Sequence, residues 1–188
     1  MKTLKNLFFI VACFALVFSC KNENKEATTT TKTETKKAER TGQAFVTDDQ
    51  GKPTVLSIAI GSPDHSTLVA AVQAAELENA LVNAGPLMVF APTNDAFAAL
   101  PEGTVENLLK PESKEALANI LKYHVTPGNY SKDFLKKFKK LGQANNGYVP
   151  VEVKGEDVYV GGAKIIASVP AGNGIVHVVD KVLLPPTE

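Results

Sequence analysis

Three kinds of hydrophobic pattern follow one another along the chain. An unbroken apolar run covers residues 7–18, and residues 21–41 then contain no large apolar side chain. From about residue 53 the apolar positions recur every three or four residues, which predicts helices, and after Leu141 they alternate with polar ones, which predicts strands. Helices followed by strands are typical of an α+β domain in which helices pack against a mainly antiparallel sheet.

The stretch LMVFAPTNDAF, from Leu87 to Phe97, organises the predicted fold. Its first four residues form a short apolar run with proline on both sides, which is typical of a strand buried on both faces. Thr93 and Asn94 follow, and their side-chain oxygens can accept hydrogen bonds from the free N–H groups of a first helical turn. A buried strand is therefore predicted to lead directly into a helix.

The segment 173–185, which reads NGIVHVVDKVLLP, is the candidate for a neighbouring strand in the same sheet. Alternation along it places His177 on an apolar face and Asp180 on the opposite face. A histidine on an apolar face needs hydrogen-bond partners for its ring nitrogens. We therefore expect a hydrogen bond from His177 to Asn94 or Asp95 that ties the two stretches together.

The other helices and strands are placed by apolar spacing and by start and stop residues. Helices are predicted to begin near Pro53, at Asp64 or Ser66, near Leu77, at Thr104, at Pro111 and at Ser131, and strands to cover 148–153, 158–160 and 163–169. In the helix from Pro111, His124 shares a face with Leu117 and Leu121 and is expected at the edge of the core. His65, at a helix entrance, is expected to be exposed.

The densest run of basic residues lies in the short helix that is predicted from Ser131. Lys136, Lys137, Lys139 and Lys140 are placed toward its end, where positive charge is favourable to the helix dipole. Such a cluster is consistent with binding of anionic glycans or other polyanions, and equally with a solvated helix face.

Both stretches, together with Tyr123-His124-Val125 between them, resemble the fasciclin-like domain family over about residues 53–186. The resemblance implies an α+β fold, with a β-sandwich or wedge flanked by several short helices, in a single copy over 43–188. The candidate structural residues within the two stretches are Thr93, Asn94, Asp95, His177 and Asp180. It also implies a role for Tyr123 and His124 in adhesion.

The function implied by this resemblance is that of an extracytoplasmic adhesion or interaction module that binds a protein or polysaccharide. The alternative is a carrier of a small apolar ligand, a pigment or a lipid, between the helices and the sheet, as in some fasciclin-like proteins. A closely packed interior would disfavour the carrier.

The amino terminus is predicted to serve targeting and anchoring. Residues 1–19 combine two early lysines with an apolar run that is too short to span a bilayer, which indicates an export signal. Val17-Phe18-Ser19-Cys20 resembles the cleavage box of bacterial lipoproteins, which predicts lipidation of Cys20 and a membrane anchor, at the outer membrane or cell surface. An ordinary secreted protein cleaved nearby is the alternative. Residues 20–42 are predicted to be a disordered tether, because they have nothing to bury.

Charge and motif spacing exclude several other functions. The chain has 20 basic and 20 acidic residues, and removal of Lys2 and Lys5 with the signal leaves 18 against 20, a net charge of −2. Nucleic-acid binding would need a strong basic excess. His124 and His177 lack the close spacing of a metal motif, and no nucleophile elbow surrounds Ser131. We expect neither an enzyme nor a bound metal or cofactor.

Overall fold

In the computed structural model, residues 51–83 and 85–186 are described, and they form seven α-helices and seven β-strands. The helices are α1 Val55–Gly61, α2 Ser66–Ala74, α3 Glu78–Asn83, α4 Asn94–Ala98, α5 Thr104–Leu108, α6 Lys114–Tyr123 and α7 Lys132–Leu135. The strands are β1 Leu87–Pro92, β2 Val125–Pro127, β3 Lys140–Gly142, β4 Tyr148–Lys154, β5 Asp157–Val160, β6 Ala163–Ala171 and β7 Gly174–Val179. Single 3₁₀ turns, Pro63–His65 and Pro111–Ser113, precede α2 and α6. The export signal 1–19, Cys20 and the tether 20–42 lie outside the described residues.

Hydroxyl side chains fix the starts of three helices, as the sequence predicts for two of them. The Thr93 hydroxyl accepts a hydrogen bond from the backbone N–H of Ala96 at 3.3 Å, and Ser131 serves α7 in the same way through Phe134 N–H at 3.3 Å. Thr54 caps α1. Each cap satisfies an N–H group that has no partner within its own helix.

The strands form one sheet in the order β2-β1-β7-β6-β5-β4-β3. β1 and β7 run parallel, with Leu87 opposite Gly174 and Phe90 opposite His177, and the other pairs are antiparallel. The two end strands also approach each other, since Ala144 N–H donates to the Val125 carbonyl at 2.7 Å, and the sheet is almost closed into a barrel. The predicted α+β fold and the pairing of the two stretches are confirmed.

β1 separates two hydrophobic cores, and every residue of this strand is buried. Leu87 and Val89 pack with α1, α2 and α6, whereas Met88 and Phe90 pack among the strands inside the curled sheet. The strand is therefore buried on both faces, as its continuous apolar run predicts.

Three details differ from the sequence-based expectations. α7 ends at Leu135, so the lysines at 136, 137 and 139 lie in the turn that follows it, and Lys140 begins β3. The strands β2 and β3, with three residues each, are too short to show an alternating pattern. His65 is buried rather than exposed, because the 3₁₀ turn folds its ring inward, where a nitrogen lies 2.9 Å from the Ser62 hydroxyl.

No single helix in the described ranges is long and apolar enough to cross a membrane. α1 and the helical segment Pro63–Ala74 satisfy the length and composition criteria only as a pair, and this pair is bent by 105°.

Candidate functional site

The first candidate site is the junction where β1 leads into α4. Asn94, its second polar residue, holds α2 rather than the neighbouring strand. Its Oδ1 accepts from the Thr67 backbone N–H at 3.1 Å and its Nδ2 donates to the Pro63 carbonyl at 2.9 Å. Asn94 thus caps α2 from 27 residues away, at a helix start where His65 makes no side-chain capping bond. Its role is to fix the angle between two helices.

His177 does not bond to Asn94 or Asp95, and the expectation of that hydrogen bond is wrong. Its Nε2 lies 2.9 Å from the Tyr130 carbonyl and its Nδ1 lies 2.7 Å from the Ser168 hydroxyl. A carbonyl only accepts, so Nε2 carries the proton and Nδ1 accepts from Ser168. The pairing of β6 with β7 puts Ser168 opposite His177, so the ring is satisfied without a partner from the β1–α4 junction.

The environment of His177 keeps its ring neutral. The ring is fully buried and stacks on Phe90 with 5.9 Å between centroids. Burial lowers the pKa of His177, the hydrogen bond to the Tyr130 carbonyl opposes this, and the positive charge of Lys132 lowers it further. His177 is therefore a neutral link between β7, β6 and the loop before α7.

The two predicted structural aspartates, Asp95 and Asp180, differ in their contacts. Asp95 is exposed on the first turn of α4, where a negative charge suits the helix dipole. Asp180 follows β7, and its Oδ1 accepts from the Lys164 backbone N–H at 2.7 Å. The Asp180 N–H in turn donates to the Lys164 carbonyl at 3.2 Å, so this residue closes the β6–β7 pair at its end.

His124 ends α6 and joins three parts of the domain. Its Nδ1 donates to the Ile120 carbonyl at 2.8 Å, its Nε2 accepts from the Leu183 backbone N–H at 2.9 Å, and its own carbonyl accepts from Phe90 N–H at 2.9 Å. Burial lowers the pKa of His124 to about 4, against the opposing effect of the Ile120 hydrogen bond. With 3% of its surface exposed, the side chain offers no contact area to a partner.

Tyr123 is also buried, with 4% of its surface exposed, but it faces the other core. Its hydroxyl donates to the backbone carbonyl of Tyr148 at 2.9 Å, and burial raises the pKa of the phenol. The ring packs close to Gly147, where an added Cβ would lie 3.2 Å from it. Tyr123 therefore fixes the turn before β4 from inside the domain.

The lysines 136, 137, 139 and 140 are all exposed, and in the sequence they flank the aromatic residue Phe138. Stacked or edge contacts of 5.2 to 5.6 Å between centroids join Tyr130, Phe134 and Phe138. Two ammonium groups lie over rings, Lys137 at 5.0 Å from the centroid of Phe134 and Lys140 at 4.2 Å from that of Tyr148. We call these four rings and four lysines the aromatic–lysine surface.

This surface combines apolar area with positive charge that is largely uncompensated. Phe134 is 43% exposed and Tyr148 is 61% exposed, so both rings present apolar area to solvent. Lys136 pairs with Asp133 at 2.9 Å, and this contact raises the pKa of the lysine. The lysines at 137, 139 and 140 form no ion pair with any residue in the described ranges.

The second candidate site is an apolar cavity of about 220 Å³ between the helices and β1. Its lining comes from α1, α2, α3, β1, the end of α6 and the start of β2. Most lining residues are buried or half-buried, and the exposed ones, which mark the mouth, are Ala80, Lys122 and Ala144. The helices that pack against β1 therefore leave a space that is not filled by side chains.

Within residues 51–83 and 85–186, no set of side chains is arranged for metal binding or for nucleophilic catalysis. No three histidine, cysteine or acidic side chains come together there as ligands for an ion. The Ser131 hydroxyl accepts the capping hydrogen bond of α7, and both ring nitrogens of His124 and of His177 are used in bonds within the fold.

Sequence reasoning missed four residues that hold or shape these sites. Asn173, interpreted only as the start of the last strand segment, accepts from Val55 N–H at 2.9 Å through Oδ1 and donates to the Leu81 carbonyl at 2.8 Å through Nδ2. Asn173 thus ties α1 and α3 to the sheet. Its position directly before Gly174 was the only sequence signal that pointed to it. Ser168 and Tyr130 carry no local signal, because their partner His177 is distant in sequence. Lys122 carries none either, because the cavity beside it forms only when distant segments pack together.

Comparisons with known proteins identify a family and several relatives that are similar to this chain. The family described as fasciclin domain matches residues 63–185. A Synechocystis sp. protein described as Protein sll1483 is 49% identical over 134 residues, which cover 71% of this chain and 74% of that protein. Immunogenic protein MPB70 of Mycobacterium bovis is 34% identical over 155 residues, which cover 79% of this chain and 77% of MPB70.

A larger relative and a solved structure extend the comparison. Transforming growth factor-beta-induced protein ig-h3 of Sus scrofa is 38% identical over 151 residues, and the match covers 78% of this chain but 22% of ig-h3. The solved structure is a FAS1 domain pair from the insect cell adhesion molecule fasciclin I, with a TM-score of 0.61 and 20% identity over 70% of this chain and 51% of that one. This structural likeness shows the shared fold.

Proposed function

Because this chain belongs to the fasciclin domain family, we propose that it is an exported adhesion or interaction module, anchored to a bacterial membrane by a lipid on Cys20. In this proposal the domain binds a protein or polysaccharide partner through its exposed surface, and residues 20–42 act as the tether. An insect cell adhesion molecule shares the fold. As a flexible coil of about twenty residues, the tether would hold the domain some 25 Å from its anchor on average.

The observation that carries the proposal is the aromatic–lysine surface. Exposed rings such as Phe134 and Tyr148 supply flat apolar area, and lysines beside them supply charge. Aromatic residues are enriched at the centres of interfaces because they give a large contact area for little loss of side-chain freedom. This combination suits a partner that presents both apolar faces and negative charge.

An acidic polysaccharide has both of these features. The C–H face of a sugar ring can lie against an exposed aromatic ring, and its carboxylate or sulfate groups can approach Lys137 and Lys140. No carboxylate of the described residues competes with the polysaccharide for these two ammonium groups, because they lie over rings rather than in ion pairs. We therefore place the partner-binding face at the aromatic–lysine surface.

Tyr123 and His124 act on adhesion indirectly in this proposal. Tyr123 holds the backbone of Tyr148, so it positions one ring of the aromatic–lysine surface from below. His124 lies on the wall of the apolar cavity and holds the C-terminal segment through Leu183. Their substitution would change the shape of a binding surface rather than remove a contact.

Binding to alginate, a polyanionic polysaccharide, tests the proposal, with uncharged dextran as the reference. The variant Lys137→Gln/Lys140→Gln should bind alginate about tenfold more weakly at low salt, since each exposed charge pair contributes up to about 1 kcal/mol. The control is Lys154→Gln, because Lys154 also lies over a ring, 4.8 Å from the centroid of Tyr159, but outside this surface, where it pairs with Glu152 at 2.9 Å. Equal binding by the double variant and the parent would refute the placement.

A second candidate function is that of a carrier for a small apolar ligand, and the cavity between the helices and β1 favours it. The space has a volume of about 220 Å³ and an almost wholly apolar lining, which are the properties of a small-molecule pocket. Empty apolar cavities take up apolar molecules from solution. Organic extraction of the protein purified from its native membrane, followed by mass spectrometry, tests this function, and an extract without any stoichiometric apolar compound argues against it.

A further inference from the structure

The rim of the apolar cavity carries one charged side chain whose position suggests the kind of ligand. Lys122 lies in the last turn of α6, is exposed, and lines the cavity together with Ala80 and Ala144 at the mouth. A lysine can lay its aliphatic stem along apolar surface while its ammonium stays in water. The cavity thus has an apolar interior and a cationic entrance.

Within the described ranges, the positive charge of Lys122 is not used by the fold. No carboxylate there forms an ion pair with it, in contrast to Lys114 on the same helix, whose ammonium lies 2.7 Å from Glu76. The other polar side chain in the lining, His124, has both ring nitrogens occupied by backbone groups. An anion at the mouth would therefore meet one free cation and no competing acceptor side chain of the lining.

We propose that the cavity binds the alkyl chain of a single-chain anionic amphiphile, with its head group at the Lys122 ammonium. The inference rests on the carrier function proposed above and adds the charge and size of the ligand. Apolar walls without a free polar group favour a hydrocarbon chain over a ligand with internal hydroxyl or amide groups, which would lose their hydrogen bonds to water. The head group remains at the surface, where it keeps part of its hydration.

The volume of the cavity sets the length of the chain that it can hold. A cavity of about 150 Å³ with aliphatic and aromatic walls takes up benzene, which corresponds to roughly 25 Å³ for each carbon atom. On the same scale the 220 Å³ available here holds roughly nine carbon atoms. Each additional buried methylene should tighten binding about fourfold up to that length, and longer chains should gain little.

Calorimetric titration of the purified full-length protein tests both parts of the inference. Hexanoate, octanoate, decanoate and dodecanoate give the dependence on chain length, and 1-decanol and decyltrimethylammonium vary the head group at a constant chain. Decanoate should bind about fivefold more tightly than 1-decanol, since one exposed charge pair contributes up to about 1 kcal/mol, and decyltrimethylammonium should bind more weakly than either. The preference for decanoate should shrink in high salt, because salt screens an exposed charge pair.

Three variants separate the head group from the cavity. Lys122→Gln should lower the affinity for decanoate to that for 1-decanol and leave 1-decanol unchanged. Lys114→Gln is the matched control, since it removes a lysine from the same helix that does not line the cavity, and it should change neither. Ala80→Trp places a large side chain at the mouth, on an exposed helix position, and should weaken both ligands at least tenfold.

Two results would overturn the inference, and they differ in what they leave standing. If decanoate and 1-decanol bind equally well and Ala80→Trp weakens both, the cavity is an apolar carrier site and the anionic head group is wrong. If none of the amphiphiles binds, or if Ala80→Trp leaves their binding unchanged, the carrier function itself fails together with the inference.

Discussion

The ring of His124 accepts a hydrogen bond from the backbone N–H of Leu183, at 2.9 Å between Nε2 and the nitrogen. This bond requires Nε2 to be unprotonated, and the opposite ring nitrogen already donates to the Ile120 carbonyl. Protonation of His124 would therefore both break the bond to the C-terminal segment and bury a charge. The hydrogen bond that holds the C-terminal segment to His124 is therefore sensitive to acid.

We predict that the free energy of unfolding falls as the pH is lowered from about 6.5 to about 4. His124 has a pKa of about 4 when folded, against an ordinary value of 6.5, so between these values the unfolded chain binds more protons and stability decreases with each step toward acid. The full loss from this group amounts to about 3 kcal/mol. Burial lowers the pKa of His65 and His177 as well, and both add in the same direction. Urea unfolding at pH 7.0, 5.5 and 4.5 measures the effect.

The variant His124→Gln identifies the contribution of this ring. Its amide can still donate to one backbone group and accept from another, but it does not titrate in this range. We expect a smaller free energy of unfolding at pH 7 and a flatter dependence on pH below 6.5. An unchanged slope in this variant would assign the acid sensitivity to other groups.

We predict that Gly174→Ala destabilises the domain by roughly 3 kcal/mol or more. A Cβ at Gly174 would overlap the backbone carbonyl of Leu87, its partner across the parallel β1–β7 pair. Neither strand can yield easily, because every residue of β1 is buried. Thermal or urea unfolding measures the loss.

Gly162→Ala is the control for this change. Gly162 also has a positive φ, of 79°, but a Cβ added there would meet no other atom within 4 Å, so only the backbone strain of about 1 kcal/mol is expected. Equal losses from both substitutions would show that strand contact at Gly174 is not the cause.

We predict that Asn94→Ala and Asp95→Ala, although neighbours in sequence, differ clearly in their effect. Loss of Asn94 removes the cap of α2 and the bond to the Pro63 carbonyl, and should cost about 1 to 2 kcal/mol. Asp95 is exposed, and its loss should cost about 0.5 kcal/mol or less. Chemical denaturation of both variants measures the difference, and equal effects would contradict the role assigned to Asn94.

We predict that Cys20→Ser abolishes attachment of fatty acid to the chain. Growth with radiolabelled palmitate and recovery of the protein from membrane and soluble fractions measure it. The parent should be labelled and pellet with membranes, and the variant should be unlabelled. Cys13→Ser is the matched control, since this cysteine lies within the predicted signal, and it should leave labelling intact. An unlabelled parent would contradict the anchor.

The strand and helix at 87–97 could be predicted because their signals are local. Four apolar residues between prolines and a threonine that can cap a helix need no information from elsewhere in the chain. The burial of His177 also followed from alternation alone. Short elements such as β2 and β3 gave no such signal, because a pattern of period two needs more than three residues.

The hydrogen-bond partners and the cavity could not be predicted, because they arise from packing between distant segments. His177 is held by Ser168 and by the Tyr130 carbonyl, 9 and 47 residues away, and only the strand pairing brings them together. The same holds for the link of Asn94 to α2. The cavity is the space left when several helices meet β1, and a sequence pattern gives the faces of helices but not the gap between them.

The parallel pairing of β1 with β7 also governs when the chain can fold. β1 pairs with β7, which comes from the opposite end of the domain. The edge of β1 that faces β7 therefore stays unpaired until almost the whole domain has been synthesised. Contacts this distant in sequence slow folding, because a long loop must close before they form. In the export proposed above, the chain would therefore stay unfolded while it crosses the membrane and would fold on the other side.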